Sequence, residues 1–208
     1  MEHKITVVGI GPGSPEYLPP IAQKAIDSAA ILVGSQRALD TFATEKSRNK
    51  VIDKDIAGVL AFIRACLQEE DVVVMVSGDP GFYSLLTALR GEFSADRLSV
   101  IPGISSVQLA FARLADTWQD AVLVSMHGRS PDTAMLQYAK NKKLGILTDR
   151  RHSPQYIARE LLRCGWPIDA AVCLCAGLSY ADEHILTTTL AATAELAGFD
   201  HCVMVVTE

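Results

Sequence analysis

The chain has 208 residues, a net charge of −5 and 21% charged residues, the composition of a globular protein long enough to hide roughly 70% of its unfolded surface. The acidic balance disfavours a dedicated nucleic-acid binder, which needs a basic stripe, and no apolar run reaches the ~20 residues that cross a bilayer. No signal peptide pattern is read, and the five cysteines (Cys66, Cys164, Cys173, Cys175 and Cys202) are scattered through apolar segments, so reduced thiols, a cytoplasmic setting and no membrane or nucleic-acid partner are expected.

Residues 4–9 read as a strand of continuous apolar type, as in a sheet buried on both faces. A helix is predicted over 20–28, a short strand over 30–33 and a weak one at 51–52. Ile56, Val59, Leu60, Ile63 and Leu67 recur at helical spacing, which marks a core-facing helix over 56–67. The clearest strand is 72–76. A helix over 82–89, a strand over 98–101 and a helix capped by Ser105 and running to about 114 follow. Residues 116–120 break the pattern, which suggests an N-terminal α/β domain over 1–115 and a C-terminal α/β domain over 120–208.

The second half carries predicted strands at 121–125, 144–147 and 170–175 and helices at 133–140 and 153–164, the latter opened by Ser153 as cap and Pro154 at the first helical position. Strands at 185–189 and 202–207 are separated by little except 190–196, so antiparallel pairing is expected here. The fold class is therefore α/β in two domains, the first with a mostly parallel sheet and the second with a mixed one.

Four loops stand where a predicted strand gives way to a helix, the end at which parallel α/β sheets bind ligands. In the first, Gly9, Gly11 and Gly13 surround Pro12; the third glycine of a dinucleotide fingerprint is replaced by Ser14, and no acidic residue closes the second strand. The second, residues 77–83, sets Asp79 between Gly78 and Pro80 and ends in Tyr83. A carboxylate there repels phosphate and favours a cation, although a helix cap is the plainer role. The third offers Ser105 and Ser106 at a helix start, where hydroxyls and backbone N–H groups suit a carboxylate. The fourth clusters Arg150, Arg151 and His152, with His127 and Arg129 after another strand; arginine pairs with carboxylates through two parallel hydrogen bonds. No phosphate-binding loop, nucleophile elbow or metal-ligand spacing is present, and Cys173 and Cys175 read as buried apolar residues on one strand face.

Taken together, these loops resemble the tetrapyrrole (corrin/porphyrin) methyltransferases over essentially the whole chain. Val8-Gly9-Ile10-Gly11-Pro12-Gly13-Ser14-Pro15, Ile31-Leu32-Val33-Gly34-Ser35-Gln36-Arg37 and Thr148-Asp149-Arg150-Arg151-His152-Ser153-Pro154 are similar to motifs of the members that methylate ring carbon C5 of a corrin precursor. The stretch Leu178-Ser179-Tyr180-Ala181-Asp182-Glu183 is similar to one that usually reads Leu-Gly-Tyr-Pro-Asp-Glu, with Ser179 in place of the glycine and Ala181 in place of the proline.

The resemblance implies an active site in the cleft between two domains, usually in a homodimer, and S-adenosyl-L-methionine as donor with S-adenosyl-L-homocysteine as product. It implies donor contacts at Gly11, Pro12, Gly78, Asp79, Pro80, Tyr83, Ser105, Ser106, Leu147 and Leu178. Substrate contacts are expected at Pro12, Gly13, Arg129, Arg150 and Arg151, with Asp79, Tyr83 and His127 as candidate catalytic groups and no metal. The implied reaction converts cobalt-precorrin-7 to cobalt-precorrin-8 in cobalamin biosynthesis, with a separate enzyme for C15 methylation and decarboxylation. Another precorrin, ribosomal RNA or a diphthamide precursor as substrate, and a non-enzymatic nucleotide-binding module, are the alternatives.

Overall fold

A computed structural model describes residues 2–208, which fall into two compact units, one up to Ser105 and one from Ser106. The first unit contains β1 (Ile5–Gly9), a 3-10 turn (Pro15–Tyr17), α1 (Pro20–Asp27), β2 (Ile31–Gly34), α2 (Gln36–Phe42), β3 (Arg48–Val51), α3 (Ile56–Cys66), β4 (Val72–Val76), α4 (Leu86–Glu92), a second 3-10 turn (Ala95–Arg97) and β5 (Leu98–Ile101). Its sheet runs β3-β2-β4-β1-β5, and every neighbouring pair is parallel.

Alternation of side chains along each strand supplies both faces. Val7, Val33, Val72 and Val74 pack on one side with Val59 and Ile63 of α3 and Leu89 of α4. Val8, Leu32, Val73 and Met75 pack on the other with Ile26 of α1 and Leu39 of α2. Strand order and helix side together locate a switch point. The chain leaves β1 through α1 toward β2, and leaves β4 through α4, on the opposite face, toward β5. The loops after β1 and β4 therefore diverge, and the crevice between them is where such sheets bind ligands.

Three elements differ from the sequence expectation. Strand β3 lies at Arg48–Val51, not at 51–52. Helix α2 was not anticipated, although Ser35 caps it, accepting the Ala38 N–H at 3.2 Å. Helix α4 starts at Leu86, not at residue 82: Tyr83 has φ +51°, which a right-handed helix cannot contain.

The second unit contains α5 (Ser106–Arg113), β6 (Ala121–Ser125), a 3-10 turn (Thr133–Leu136), β7 (Lys143–Leu147), α6 (Pro154–Arg163), β8 (Ala171–Ala176), β9 (His184–Thr189), α7 (Leu190–Glu195) and β10 (Val203–Thr207). The sheet order is β6-β7-β10-β8-β9. β6 and β7 are parallel, β10 is antiparallel to β7 and β8, and β8 and β9 are antiparallel, the mixed pairing the strand spacing suggested. Helix α5 packs on this sheet: a Cβ at Gly145 of β7 would lie 3.0 Å from Val107 and 3.1 Å from Phe111, so the glycine makes room for the helix.

The helix expected over 133–140 is only a 3-10 turn of four residues. Outside donors occupy its carbonyls: Lys142 Nζ bonds Met135 O and Gln137 O, and Trp166 Nε1 bonds Leu136 O at 2.8 Å. These bonds replace the helical ladder. Helix α6 begins as expected, with Ser153 accepting the Tyr156 N–H. All five cysteines are free thiols; Cys175 is buried while Cys173 is half-buried, its sulfur 3.4 Å from the Thr187 hydroxyl, so only Cys175 matches the fully buried reading. No helix among the described residues is long and apolar enough to cross a membrane.

Candidate active site

In the first unit the loops after β1, β4 and β5 meet at glycines. A Cβ on Gly9 would stand 2.6 Å from Gly103 N and 2.7 Å from Gly78 O, closer than real contacts allow, so backbone packs directly on backbone. Gly78 N donates to Gly11 O at 2.8 Å and Gly11 N to Gly78 O at 3.3 Å. Both residues have positive φ, +79° at Gly11 and +70° at Gly78, which glycine adopts without strain.

Asp79 completes this junction. Its Oδ1 accepts the Gly81 N–H at 2.7 Å and its Oδ2 accepts the Gly103 N–H at 3.0 Å. The helix-cap role considered for Asp79 is not what the structure shows, since α4 begins seven residues on. The carboxylate instead staples the loop after β4 to the loop after β5. Ser105 is buried, its Cα 3.4 Å from where a Gly78 Cβ would be, and Ser106 opens α5. Pro12 and Gly13 are half-buried and Pro80 is buried, while Tyr83 is exposed with its ring edge-on to Phe82 at 4.8 Å. A bulky residue held at φ +51° is an uncommon conformation that concentrates at binding loops.

Charge tests the fit of the donor. Residues 9–14, 77–84 and 101–106 contain a single charged side chain, Asp79; Arg37 reaches them from α2, its Nη2 donating to Ser77 Oγ at 3.3 Å. Backbone donors, small residues and one carboxylate suit a cationic ligand without phosphate, and S-adenosylmethionine is such a ligand.

In the second unit one edge of the sheet gathers the polar groups. The carboxyl ends of β6 and β7 lie there with the start of β10. Asp149 joins two of the loops: its carboxylate accepts the Gly128 N–H at 2.7 Å and the His152 N–H at 2.6 Å, and these two bonds, in that order, hold its pKa far below the ordinary carboxylate range. His152 is buried with Nδ1 3.4 Å from Asp149. Arg129, Arg150 and Arg151 are exposed beside these loops. The Thr148 hydroxyl donates to Cys202 O at 2.9 Å and accepts the Cys202 N–H at 2.8 Å, which sets His201 beside His127, ring centroids 5.4 Å apart. His201 was missed from the sequence; its position one residue before the 202–207 strand, in a half expected to pair antiparallel, was the available signal. Leu147 is half-buried at the end of β7, and Leu178, beyond β8, is buried.

The Glu183 carboxylate pairs with Arg113 Nε of α5 at 2.5 Å and accepts the Ser179 N–H at 2.8 Å. This link was also invisible in the sequence, because its two ends are 70 residues apart.

The sequence profile of the family described as Tetrapyrrole (Corrin/Porphyrin) Methylases matches residues 4–194. The chain belongs to the tetrapyrrole methylases. Members of this family are methyltransferases that use S-adenosylmethionine. The chain is 37% identical over 161 residues, 77% of its own length and 79% of the relative's, to a cobalt-precorrin-7 C(5)-methyltransferase of Salmonella typhimurium. A probable cobalt-precorrin-7 C(5)-methyltransferase of Methanocaldococcus jannaschii is 30% identical over 200 residues, 94% of this chain and 92% of that one. Among solved structures, a precorrin-6Y methylase of Archaeoglobus fulgidus superposes with a TM-score of 0.75 at 26% identity, covering 99% of this chain and 98% of that one.

Proposed function

We propose that this tetrapyrrole methylase transfers a methyl group to ring carbon C5 of cobalt-precorrin-7 in cobalamin biosynthesis. The observation that carries the reading is the 37% identity, over most of both chains, to the Salmonella enzyme of that name. The donor contacts that the family resemblance implies, Gly11, Pro12, Gly78, Asp79, Pro80, Tyr83, Ser105, Ser106, Leu147 and Leu178, belong to this reading. Arg129, Arg150 and Arg151 take carboxylates of the corrin ring, with Pro12 and Gly13 also toward the substrate.

When bound, S-adenosylmethionine supplies a methyl group already activated by its sulfonium. The protein's task is then alignment and exclusion of water, and holding two reactants in attacking geometry contributes roughly 7–11 kcal/mol. Glycine contacts and the Asp79 staple give the donor loops one fixed shape. The arginines orient a polyanion through paired hydrogen bonds.

The reading includes a cytoplasmic homodimer, as the family resemblance implies, and assigns C15 methylation with decarboxylation to a polypeptide segment other than these 208 residues. Light scattering of the purified protein checks the dimer. Incubation with S-adenosylmethionine and cobalt-precorrin-7 checks the reaction: a mass gain of one methyl and stoichiometric S-adenosylhomocysteine are expected. Methylation of a different precorrin, or of RNA, in place of cobalt-precorrin-7 would overturn the assignment.

A further inference from the structure

Transfer of a methyl cation to the macrocycle raises the charge of its ring system by one unit. That charge is cleared when a C–H or N–H proton departs; the bonding pair stays with the macrocycle and a base takes the proton. The first unit's donor loops carry one carboxylate, Asp79, and both its oxygens already accept backbone N–H groups. The base is therefore sought beside Arg129, Arg150 and Arg151, the residues that the reading above assigns to the substrate, on the polar edge of the second unit.

Most titratable groups there are committed elsewhere. Asp149 is held by two backbone N–H groups, which makes it a weak proton acceptor. His152 is buried against Asp149. Glu183 is bound to Arg113, which lowers its pKa, and His184 is stacked on Phe199. Arginine does not exchange its proton in this range. His127 and His201 differ: both are exposed residues, and their rings face each other at 5.4 Å, tilted by 57°.

The contact of His127 Nδ1 with the Thr148 carbonyl oxygen, at 3.4 Å, fixes the tautomer. A carbonyl only accepts, so Nδ1 carries the hydrogen and Nε2 keeps its lone pair. Two imidazoles this close disfavour double protonation. We propose that His127, paired with His201, is the proton acceptor of the reaction, with Nε2 of His127 taking the proton shed by the methylated macrocycle. This rests on the corrin methyltransferase reading above.

Loss of water around its ring, then the nearby His127, push the His201 pKa down, while Asp149 opposes them. The charged neighbours of the pair are thus Asp149 and His152 after β7, Arg129 two residues beyond His127, and Asp200 beside His201. The pair's titration belongs to both rings together.

The test has two readouts. In the free protein, nuclear magnetic resonance titration of the labelled histidines should show His201 titrating below its ordinary range, and His127→Gln should move that titration upward. An unmoved His201 overturns the pairing. In turnover, wild-type kcat should rise with pH through the pair's titration and level off. His127→Gln should lower kcat about 100-fold or more, abolish that acid limb, and leave S-adenosylhomocysteine affinity within about twofold. Wild-type turnover with His127→Gln unchanged in kcat and pH profile overturns the inference alone; wild-type protein that methylates no corrinoid overturns the function reading, and the inference with it.

Discussion

Gly103 donates its backbone N–H to Asp79 Oδ2 at 3.0 Å, while the other oxygen of the same carboxylate holds Gly81. One side chain thus fixes two loops that leave neighbouring regions of the first sheet. Truncation at Asp79→Ala leaves two backbone donors to find water, at a cost of about 1–3 kcal/mol. Asp79→Asn keeps one acceptor and should fall between. Titration calorimetry with S-adenosylhomocysteine should show affinity reduced about tenfold or more in the alanine variant. Wild-type affinity together with a wild-type melting temperature would remove Asp79 from the junction's energetics.

The glycines of the same junction are expected to be intolerant. Gly9→Ala drives a Cβ to within 2.7 Å of Gly78 O, and rigid backbone on both sides cannot yield, so a loss of about 3 kcal/mol is expected. Gly91→Ala is the contrast: it lies in α4, and a Cβ there meets nothing within 4 Å. It should stabilise by about 0.5–1 kcal/mol through helix propensity. Denaturant unfolding of the two variants reads both signs. A neutral Gly9→Ala would contradict the close packing.

Ser179 stands at φ +73°, in the stretch whose family resemblance carries glycine at that position. A left-handed non-glycine residue is strained by about 1–2 kcal/mol, part of which glycine's freedom in the unfolded chain offsets. Ser179→Gly should therefore raise stability by up to about 1 kcal/mol, or ~2–4 °C in melting temperature. A lower melting temperature would mean that Ser179's own contacts outweigh its backbone strain.

Asp149 makes stability depend on pH. The Gly128 and His152 N–H groups, in that order, lower its folded pKa from 3.8. A carboxylate depressed in this way stabilises fully above its unfolded pKa and loses that contribution as pH falls through the folded value. The stability gap between wild type and Asp149→Asn should be widest above about pH 5 and close progressively in stronger acid. A gap independent of pH would show that the two bonds do not depend on ionisation.

Much of this fold is legible in the sequence because buried strands announce themselves. All five residues of β4 are apolar and buried, and α3 repeats its core face at helical spacing. Loop glycines and Asp79 mark where the strands end. What sequence could not supply is what only three dimensions create. The Asp79–Gly103 staple joins residues 24 apart, and Glu183–Arg113 joins residues 70 apart. Helix α2 has only seven residues, too few to show a helical repeat, and its cap, Ser35, directly follows a strand ending in glycine. The helix expected at 133–140 has adequate local propensity, but Lys142 and Trp166 take its carbonyls; tertiary bonds override a weak local preference.

The central claim is the ring position of the methyl group. Purified protein supplied with S-adenosylmethionine carrying a ¹³C-methyl and with cobalt-precorrin-7 should give one enriched carbon resonance, assigned to a methyl on C5. Enrichment at any other ring carbon, or none beside an active control enzyme, would contradict the account.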